Sequence, residues 1–350
     1  MRPSRINSIG VNAEQDIFTV ATDQGIRLFN VSPLTLLSGI PKELVGSVGA
    51  CAILHKSNLV LFSGAPGSKF PPNTVYVWDD KAKKLVLEVT VPAGQILNIL
   101  ASYTHLVIVQ PRKLHIFQFP NPCKLLRTEE VAFHQKAICT LSPDILNPCL
   151  AFTGSSIGTV QIMSLEKVST SSSQHSKNIN AHKNEIAQMA MNKQGTLLAT
   201  GSVKGTVIRI FGTRTCQPMW EFRRGTDPAG LYCMQFSPCS TFLAVSSDKG
   251  TIHIFSCRDS KKEVVAPKKT ILQQFMPSEQ RSIAQISLES RVLALAFVPE
   301  TKTRFQSIVA LCTEGTYHRF SFDIEGYTNR EGFDYYMQLG DEEEFWSQPF

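Results

Sequence analysis

The sequence has no long apolar run, either in its interior or near its start. Its longest uninterrupted apolar stretch, Val292 to Val298, is far short of the roughly 20 residues that a membrane-spanning helix needs. The first residues, Met1 to Asn7, are mostly polar or basic and lack the apolar core of a secretory signal. We therefore expect a soluble chain with no membrane span and no export signal.

The sequence also lacks the cysteine pattern of a disulfide framework or a structural zinc site. Its nine cysteines are an odd number, and no two of them form a C-x-x-C pair. Most lie in apolar, strand-like runs, as do Cys51, Cys139, Cys149, Cys233 and Cys312. A free cysteine packs there as a small hydrophobe. We expect free thiols and a reducing, cytoplasmic compartment.

Motifs that would indicate catalysis or nucleic-acid binding are scarce. Neither a Walker loop nor an H-E-x-x-H zinc motif occurs in the chain. The net charge of +6, from 35 basic and 29 acidic residues, is too small to indicate a nucleic-acid binder by bulk charge. We expect no enzyme, no cofactor, no metal site and no nucleic-acid partner.

A repeat runs through the whole sequence. Each unit is a short apolar strand, a turn, and a second strand with alternating polarity, which Gly-Thr begins in the clearest copies. Those copies are Cys149 to Met163, Leu197 to Phe211, Phe242 to Phe255 and Ser307 to Phe320, and weaker copies are Ile17 to Phe29, Leu59 to Trp78 and Leu106 to Phe117. Most equivalent positions are about 39–49 residues apart, the length of a four-stranded propeller blade. The sequence predicts an all-β, WD40-like, seven-bladed β-propeller with four antiparallel strands per blade.

The propeller is expected to span residues 1–340 as a single domain. Arg5 to Val11 would supply the first strand of blade 1, and Gly326 to Met337 the last strand of blade 7. The acidic residues 341–350 are predicted to be a flexible tail. If the repeats are structurally equivalent, one glycine lies in the same turn of four blades: Gly158, Gly205, Gly250 and Gly315.

One segment departs from the repeat by about 20 extra residues and lies between the third and fourth strands of blade 6, from about Arg258 to Arg281. It contains six basic and three acidic residues. Basic residues around apolar side chains are typical of segments that insert into a membrane surface. The residues predicted to do so are Lys268, Lys269, Ile271, Leu272, Phe275 and Met276. The alternative is a solvated loop.

Two adjacent arginines, Arg223 and Arg224, close the fifth repeat. Neighbouring side chains in an extended segment point to opposite sides, so each arginine would face a different gap between blades. Both are expected to be exposed. The flanking repeats supply hydroxyl, imidazole and guanidinium groups at matching positions: Ser202, Thr206 and Arg209 in one, Ser247, Thr251 and His253 in the other, with His182 just before. Such groups bind phosphate oxygens, so the sequence predicts two anion pockets rather than a solvated basic pair.

These residues also resemble a known family. Phe222-Arg-Arg-Gly225, between Ser-Val-Lys-Gly-Thr-Val-Ile-Arg209 and Ser-Asp-Lys-Gly-Thr-Ile-His-Ile-Phe255, is similar to the signature of the PROPPINs, the phosphoinositide-interacting β-propellers of autophagy. The resemblance implies two sites for phosphatidylinositol 3-phosphate and phosphatidylinositol 3,5-bisphosphate. The first pocket would use His182, Ser202, Thr206, Arg209 and Arg223, and the second Arg224, Ser247, Thr251 and His253.

The resemblance further implies an effector that docks on membranes and recruits autophagy machinery during autophagosome formation. The protein would be cytoplasmic and peripherally bound to autophagosome-precursor and endosomal membranes. An autophagy lipid-transfer rod protein would be its partner. Asn12 and Glu14, in a turn of blade 1, are candidate partner-binding residues because they lie away from the lipid pockets. The competing hypothesis is a protein-interaction scaffold whose arginines bind acidic or phosphorylated peptides.

Overall fold

The computed structural model describes residues 4–133, 136, 138–166, 176–258, 279–298 and 304–340. Several predicted residues lie outside this part of the chain. They are the tail 341–350 and, in the blade 6 segment, Lys268, Lys269, Ile271, Leu272, Phe275 and Met276. The membrane-insertion prediction for that segment therefore stays a prediction.

The first four blades follow one another along the chain. Blade 1 comprises β1 (Ile6–Val11), β2 (Ile17–Thr22), β3 (Gly25–Asn30) and β4 (Thr35–Pro41), and blade 2 comprises β5 (Val48–Ile53), β6 (Leu59–Gly64), β7 (Thr74–Asp79) and β8 (Lys84–Thr90). Blade 3 comprises β9 (Asn98–Ala101), β10 (His105–Val109), β11 (Lys113–Gln118) and β12 (Lys124–Glu130), and blade 4 comprises β13 (Cys139–Leu141), β14 (Cys149–Thr153), β15 (Thr159–Ser164) and β16 (Lys177–Asn180). A one-turn helix, α1 (Lys42–Val45), links blades 1 and 2.

The last three blades complete the ring. Blade 5 comprises β17 (Ile186–Met191), β18 (Leu197–Ser202), β19 (Val207–Gly212) and β20 (Pro218–Arg223). Blade 6 comprises β21 (Leu231–Phe236), β22 (Phe242–Ser247), β23 (Thr251–Ser256) and β25 (Ala284–Ser287), and blade 7 comprises β26 (Val292–Val298), β27 (Gln306–Cys312), β28 (Thr316–Phe322) and β29 (Thr328–Tyr335). A short strand, β24 (Glu279–Arg281), and a 3₁₀ helix (Tyr336–Gln338) complete the described elements.

The described strands form seven sheets, each with four antiparallel strands, and the sheet of blade 5 has a fifth strand, β24, which runs parallel to β20. The predicted seven-bladed propeller is thus confirmed, and the predicted first and last strands appear as β1 and β29. Second strands such as β22 are buried at every residue, whereas the outermost strand β4 alternates between exposed and partly buried residues. This gradient explains why the repeat is clearest in the middle strands: they are buried on both faces and consist mainly of apolar and small residues.

The turn between the second and third strands is the same in four blades. Gly158, Gly205, Gly250 and Gly315 all lie in it, with φ of +72°, +64°, +67° and +79°. A side chain strains this left-handed backbone, which glycine adopts freely. At Gly205 the space is closed as well, because a Cβ there would lie 1.9 Å from Ala229 O. The predicted equivalence of these glycines is confirmed.

Apolar side chains from facing sheets fill the gaps between blades. Phe222 of blade 5 stacks on Phe255 of blade 6 with ring centroids 4.8 Å apart. Where blade 7 meets blade 1, Tyr336 packs edge-on against Phe18 at 5.5 Å. Gln15 adds a polar link: its amide donates to Phe236 O at 2.8 Å and accepts from Phe297 N at 2.7 Å. Side-chain packing and this bridge therefore join blades 6, 7 and 1.

Candidate functional site

The two arginines lie where blade 5 ends. Arg223 is the last residue of β20, and Arg224 begins the link to blade 6. Phe222 packs toward blade 6, so strand alternation directs Arg224 to that side and Arg223 to the other. Arg223 thereby shares a face of β20 with Glu221, which bonds to Arg209. Because the two arginines point to opposite sides of the strand, each could contribute to a different pocket.

The first pocket lies on the blade 4 side of blade 5. His182 Nε2 is 3.0 Å from the hydroxyl of Thr200. Arg209 donates from Nε to Glu221 Oε2 at 2.8 Å and from Nη1 to Ala181 O at 2.7 Å. Arg209 is thus held by two protein acceptors, and its remaining N–H groups would be those available to an anion.

The imidazole in this pocket is neutral at pH 7. Burial, and then the positive charge of Arg209, lower the pKa of His182 to about 4. A neutral imidazole can donate a hydrogen bond but adds no charge. The fixed positive charge of the first pocket therefore comes from its arginines.

The hydroxyl residues of the first pocket flank the turn glycine. Ser202 and Thr206 are 6% and 7% exposed. Gly205 N donates to Ser202 O at 2.8 Å, and Arg224 N donates to Thr206 O at 2.9 Å. The turn is thereby tied to the arginine link, so both parts of the site are positioned together.

The residues predicted for the second pocket belong to blades 5 and 6, and Arg224 lies in the link between these blades. Its guanidinium donates from Nε to Gly205 O at 2.6 Å and from Nη2 to Asp227 O. Arg224 is only 8% exposed, and this burial lowers its pKa from the usual value, against the nearby charges of Asp248 and Asp227. The expectation that both arginines are exposed is therefore wrong: Arg224 is buried because the turn of blade 5 folds over it, and Arg223 is half-buried.

Ser247 contributes an unusual group to this pocket. Its side chain is 3% exposed, and among the described residues its hydroxyl is buried with no hydrogen-bond partner. An unsatisfied buried polar group costs about 1–3 kcal/mol. Thr251, paired with Ser247 across β22 and β23, directs its hydroxyl to Lys249 O at 3.4 Å.

His253 completes the second pocket. Its Nδ1 is 3.3 Å from the hydroxyl of Ser282. Burial, and then the charge of Arg224, lower the pKa of His253 to about 4. That Arg224 and His253 bind one ligand together stays a prediction.

The structure brings residues to the site that the sequence analysis missed. β24 runs parallel to β20 at its outer edge and places Arg281 beside Arg223. Ser282 follows and reaches His253. These residues are about 58 positions from the arginine pair in the chain. The only sequence signal was their place at the end of the long blade 6 segment.

The candidate partner residues lie at the other end of the strands, in the turn from β1 to β2. Asn12 is 4% exposed, and its Oδ1 accepts from Asp16 N at 3.0 Å, so its side chain braces the turn. Glu14 lies 2.9 Å from His55 Nδ1. Burial would raise the pKa of Glu14, but this contact with His55 lowers it below the usual value. A partner-binding role for either residue stays a prediction.

Comparison with protein families gives one match that covers most of the chain. The model described as PROPPIN matches residues 5–270. Ectopic P granules protein 6 of Caenorhabditis elegans is 36% identical over 98% of this chain and 90% of its own length. Autophagy-related protein 18e of Arabidopsis thaliana is 29% identical over 91% of this chain and 84% of its own.

Solved structures match the fold along nearly the whole chain. Kluyveromyces lactis Hsv2 superposes with a TM-score of 0.77, at 23% identity, over 95% of this chain and 99% of that one. A second neighbour, KlAtg21 in complex with the coiled coil of AgAtg16, has a TM-score of 0.74 at 20% identity and covers 95% and 99% of the two chains. Within the described part of the present chain, no helix is long and apolar enough to cross a bilayer.

Proposed function

Because the chain belongs to the PROPPIN family, we propose that it binds phosphatidylinositol 3-phosphate and phosphatidylinositol 3,5-bisphosphate through the two pockets of blades 5 and 6. In this proposal it docks on membranes that carry these lipids and recruits autophagy machinery during autophagosome formation. A relative over most of the chain is named as an autophagy-related protein, which supports the cellular setting.

The buried hydroxyl of Ser247 is the observation that carries the lipid proposal. Within the described part of the chain it has no hydrogen-bond partner, and in this proposal it shares a pocket with Arg224 and His253. A phosphate oxygen would accept its hydrogen bond and face the positive charge of Arg224. Burying an unpaired hydroxyl costs stability, and a bound phosphate would offset that cost.

Two pockets on one side of the ring would act together on a membrane. One charge-assisted contact contributes only about 1.5–3 kcal/mol, so each pocket alone should bind weakly. When one lipid is held, the second pocket meets its ligand at a high effective concentration. We propose that this avidity is how the protein binds membranes tightly and individual headgroups weakly.

Protein partners would use surfaces away from the pockets. KlAtg21 has been solved with a coiled coil of AgAtg16, which supports the idea that a propeller of this type also binds proteins. We propose that the autophagy lipid-transfer rod protein contacts the turn that contains Glu14. The protein would then join a membrane at one surface to a partner at another, peripherally on autophagosome-precursor and endosomal membranes.

The test is flotation with liposomes that differ only in the headgroup. We expect binding to liposomes containing phosphatidylinositol 3-phosphate or the 3,5-bisphosphate, and little binding to unphosphorylated phosphatidylinositol at the same lipid content. Equal binding to all of them would refute headgroup recognition. A phosphoserine peptide with the charge of the headgroup tests the scaffold hypothesis, since only that hypothesis expects the peptide to displace the liposomes.

We propose a binding function and not catalysis, although one sequence motif of hydrolases occurs in the chain. The letters G-x-S-x-G occur at Gly154 to Gly158, but there they form the turn between the antiparallel strands β14 and β15. A nucleophilic serine in that motif needs a sharp turn from a strand into a helix.

A further inference from the structure

Two turns beside the first pocket carry exposed aliphatic side chains at their tips. Ile157 lies between β14 and β15 of blade 4 and is 69% exposed, and Val203 lies in the equivalent turn of blade 5 and is 50% exposed. The same turn of blade 6 contains Asp248-Lys249, and that of blade 7 contains Thr313-Glu314. The fold of this turn therefore does not require an apolar residue at its tip.

Both tips are fixed to the segment from His182 to Glu185, which begins with a residue of the first pocket. His182 N donates to Gly158 O at 3.0 Å, and Val203 N donates to Glu185 O at 2.9 Å. Gly158 packs so closely on this segment that a Cβ there would lie 1.9 Å from His182 O. Ile157 and Val203 thus hold set positions on either side of the pocket.

A third exposed apolar side chain extends the surface. Phe133 is 53% exposed and lines a shallow cavity of about 130 Å³ together with Ile157 and Glu185. The guanidinium of Arg112 lies 5.3 Å from the centre of the Phe133 ring. Phe133, Ile157 and Val203 together are called the apolar ridge below.

The charges around the ridge favour an anionic partner. Lys183 and Lys204 are both exposed next to it, and Arg112 covers one end, while Glu185 is the acidic residue between the tips. Apolar side chains surrounded by basic ones are typical of contacts with the interface of an anionic bilayer. The ridge consists of protruding turns rather than a groove. A bilayer can accept such tips without a complementary shape, whereas a protein partner would have to supply one.

We propose that the apolar ridge is a second membrane-contacting element, which enters the headgroup region of a bilayer while a lipid headgroup occupies the first pocket. This inference rests on the proposed function. It adds that blade 4, and not only blades 5 and 6, contacts the membrane. The ridge would also fix the tilt of the ring, because Ile157 extends the contact into blade 4, away from blade 6.

The first experiment changes both tips, Ile157→Ser with Val203→Ser, and measures co-sedimentation with phosphatidylinositol 3-phosphate liposomes. We expect about tenfold weaker binding at both low and high salt, because apolar burial is not screened by ions. Binding of soluble inositol 1,3-bisphosphate, measured by calorimetry, should be unchanged. The matched control is Leu37→Ser with Val86→Ser, which changes residues 51% and 45% exposed on the outer strands of blades 1 and 2, and it should bind liposomes as the unmodified chain does.

The second experiment locates the tips directly. Val203→Trp should show fluorescence quenched by lipids with brominated acyl chains, and Leu37→Trp should not. If Val203→Trp is not quenched, or if the double serine variant binds liposomes like the unmodified chain, the ridge proposal is overturned and the pockets stand. If the unmodified chain does not bind these liposomes, the proposed function fails as well.

Discussion

At the scale of single residues, the two adjacent arginines differ in burial and in the contacts they make. Arg224 is buried and holds the turn of blade 5 through Gly205 O and Asp227 O. Arg223 is only partly buried and lies at the outer edge of the blade beside Arg281. Equivalent substitutions at these two positions should therefore have unequal effects on stability, although both should weaken membrane binding.

The prediction uses Arg223→Thr and Arg224→Thr, singly and combined. Each single variant should bind phosphatidylinositol 3-phosphate liposomes more weakly, and the double variant should not bind. Arg224→Thr should also lower the free energy of unfolding by about 1–3 kcal/mol, because it removes charged hydrogen bonds inside the protein. Arg223→Thr should change it little. Flotation and urea unfolding provide the two measurements, and full liposome binding by the double variant would refute the two-pocket proposal.

Ser247→Ala should weaken ligand binding without lowering stability, unlike Arg224→Thr, which should lower both. The substitution removes a buried hydroxyl that has no partner among the described residues. We expect the free energy of unfolding to stay the same or rise by up to about 1 kcal/mol, while binding of soluble inositol 1,3-bisphosphate weakens. Ser246→Ala is the control: this hydroxyl is 3.3 Å from Cys233 N, so its loss should cost stability without affecting the ligand. A Ser247→Ala variant that is less stable and binds normally would contradict this account.

At the scale of elements, the end of the long segment of blade 6 lies along the outer edge of blade 5. β24 pairs with β20 so that Arg281 lies beside Arg223, and Ser282 reaches His253. The end of this segment is therefore part of the site.

The prediction at this scale separates membrane insertion from simple attraction. Leu272→Ser with Phe275→Ser should weaken liposome binding at low and at high salt, since burying a large apolar side chain contributes about 1.5–3 kcal/mol that ions do not screen. Lys268→Ala with Lys269→Ala should matter mainly at low salt, where the Debye length is about 30 Å at 0.01 M. Co-sedimentation at two salt concentrations is the measurement. Unchanged binding of the serine variant at both would show that the segment does not insert.

At the scale of the whole molecule, several histidines are buried or half-buried in the folded chain. Burial is the main cause that lowers the pKa of His182, His253 and His318 to about 4. In the unfolded chain each has a pKa near about 6.5. The unfolded state therefore binds more protons between these values, and acid should favour unfolding.

We predict that the melting temperature changes little near pH 7 and falls as the pH decreases toward about 4. At pH 5 the loss amounts to up to about 2 kcal/mol per histidine. Thermal unfolding at pH 7 and pH 5 measures the effect. Replacing His253 and His318 by glutamine should flatten the pH dependence, and equal melting temperatures of the unmodified chain at the two pH values would contradict the assignment.

Much of this architecture is determined locally and could be predicted from the sequence. A middle strand needs mainly apolar or small residues, and the turn after it needs a residue that tolerates positive φ, as at Gly205. Both requirements concern about 15 consecutive residues, and the same pattern recurs in seven units of the sequence. The positions of Arg223 and Arg224 relative to the blades follow from the same alternation.

Only the tertiary structure decided what depends on distant parts of the chain. The burial of Arg224 results from a turn of the preceding strands folding over it, and Arg281 joins Arg223 through a strand from another blade. Asn12 is buried because its own turn closes around it and against His55 O. Sequence patterns report which residues prefer water, but each of these side chains is polar. Whether a polar side chain faces water, a protein acceptor or a ligand depends on the partners that folding brings to it.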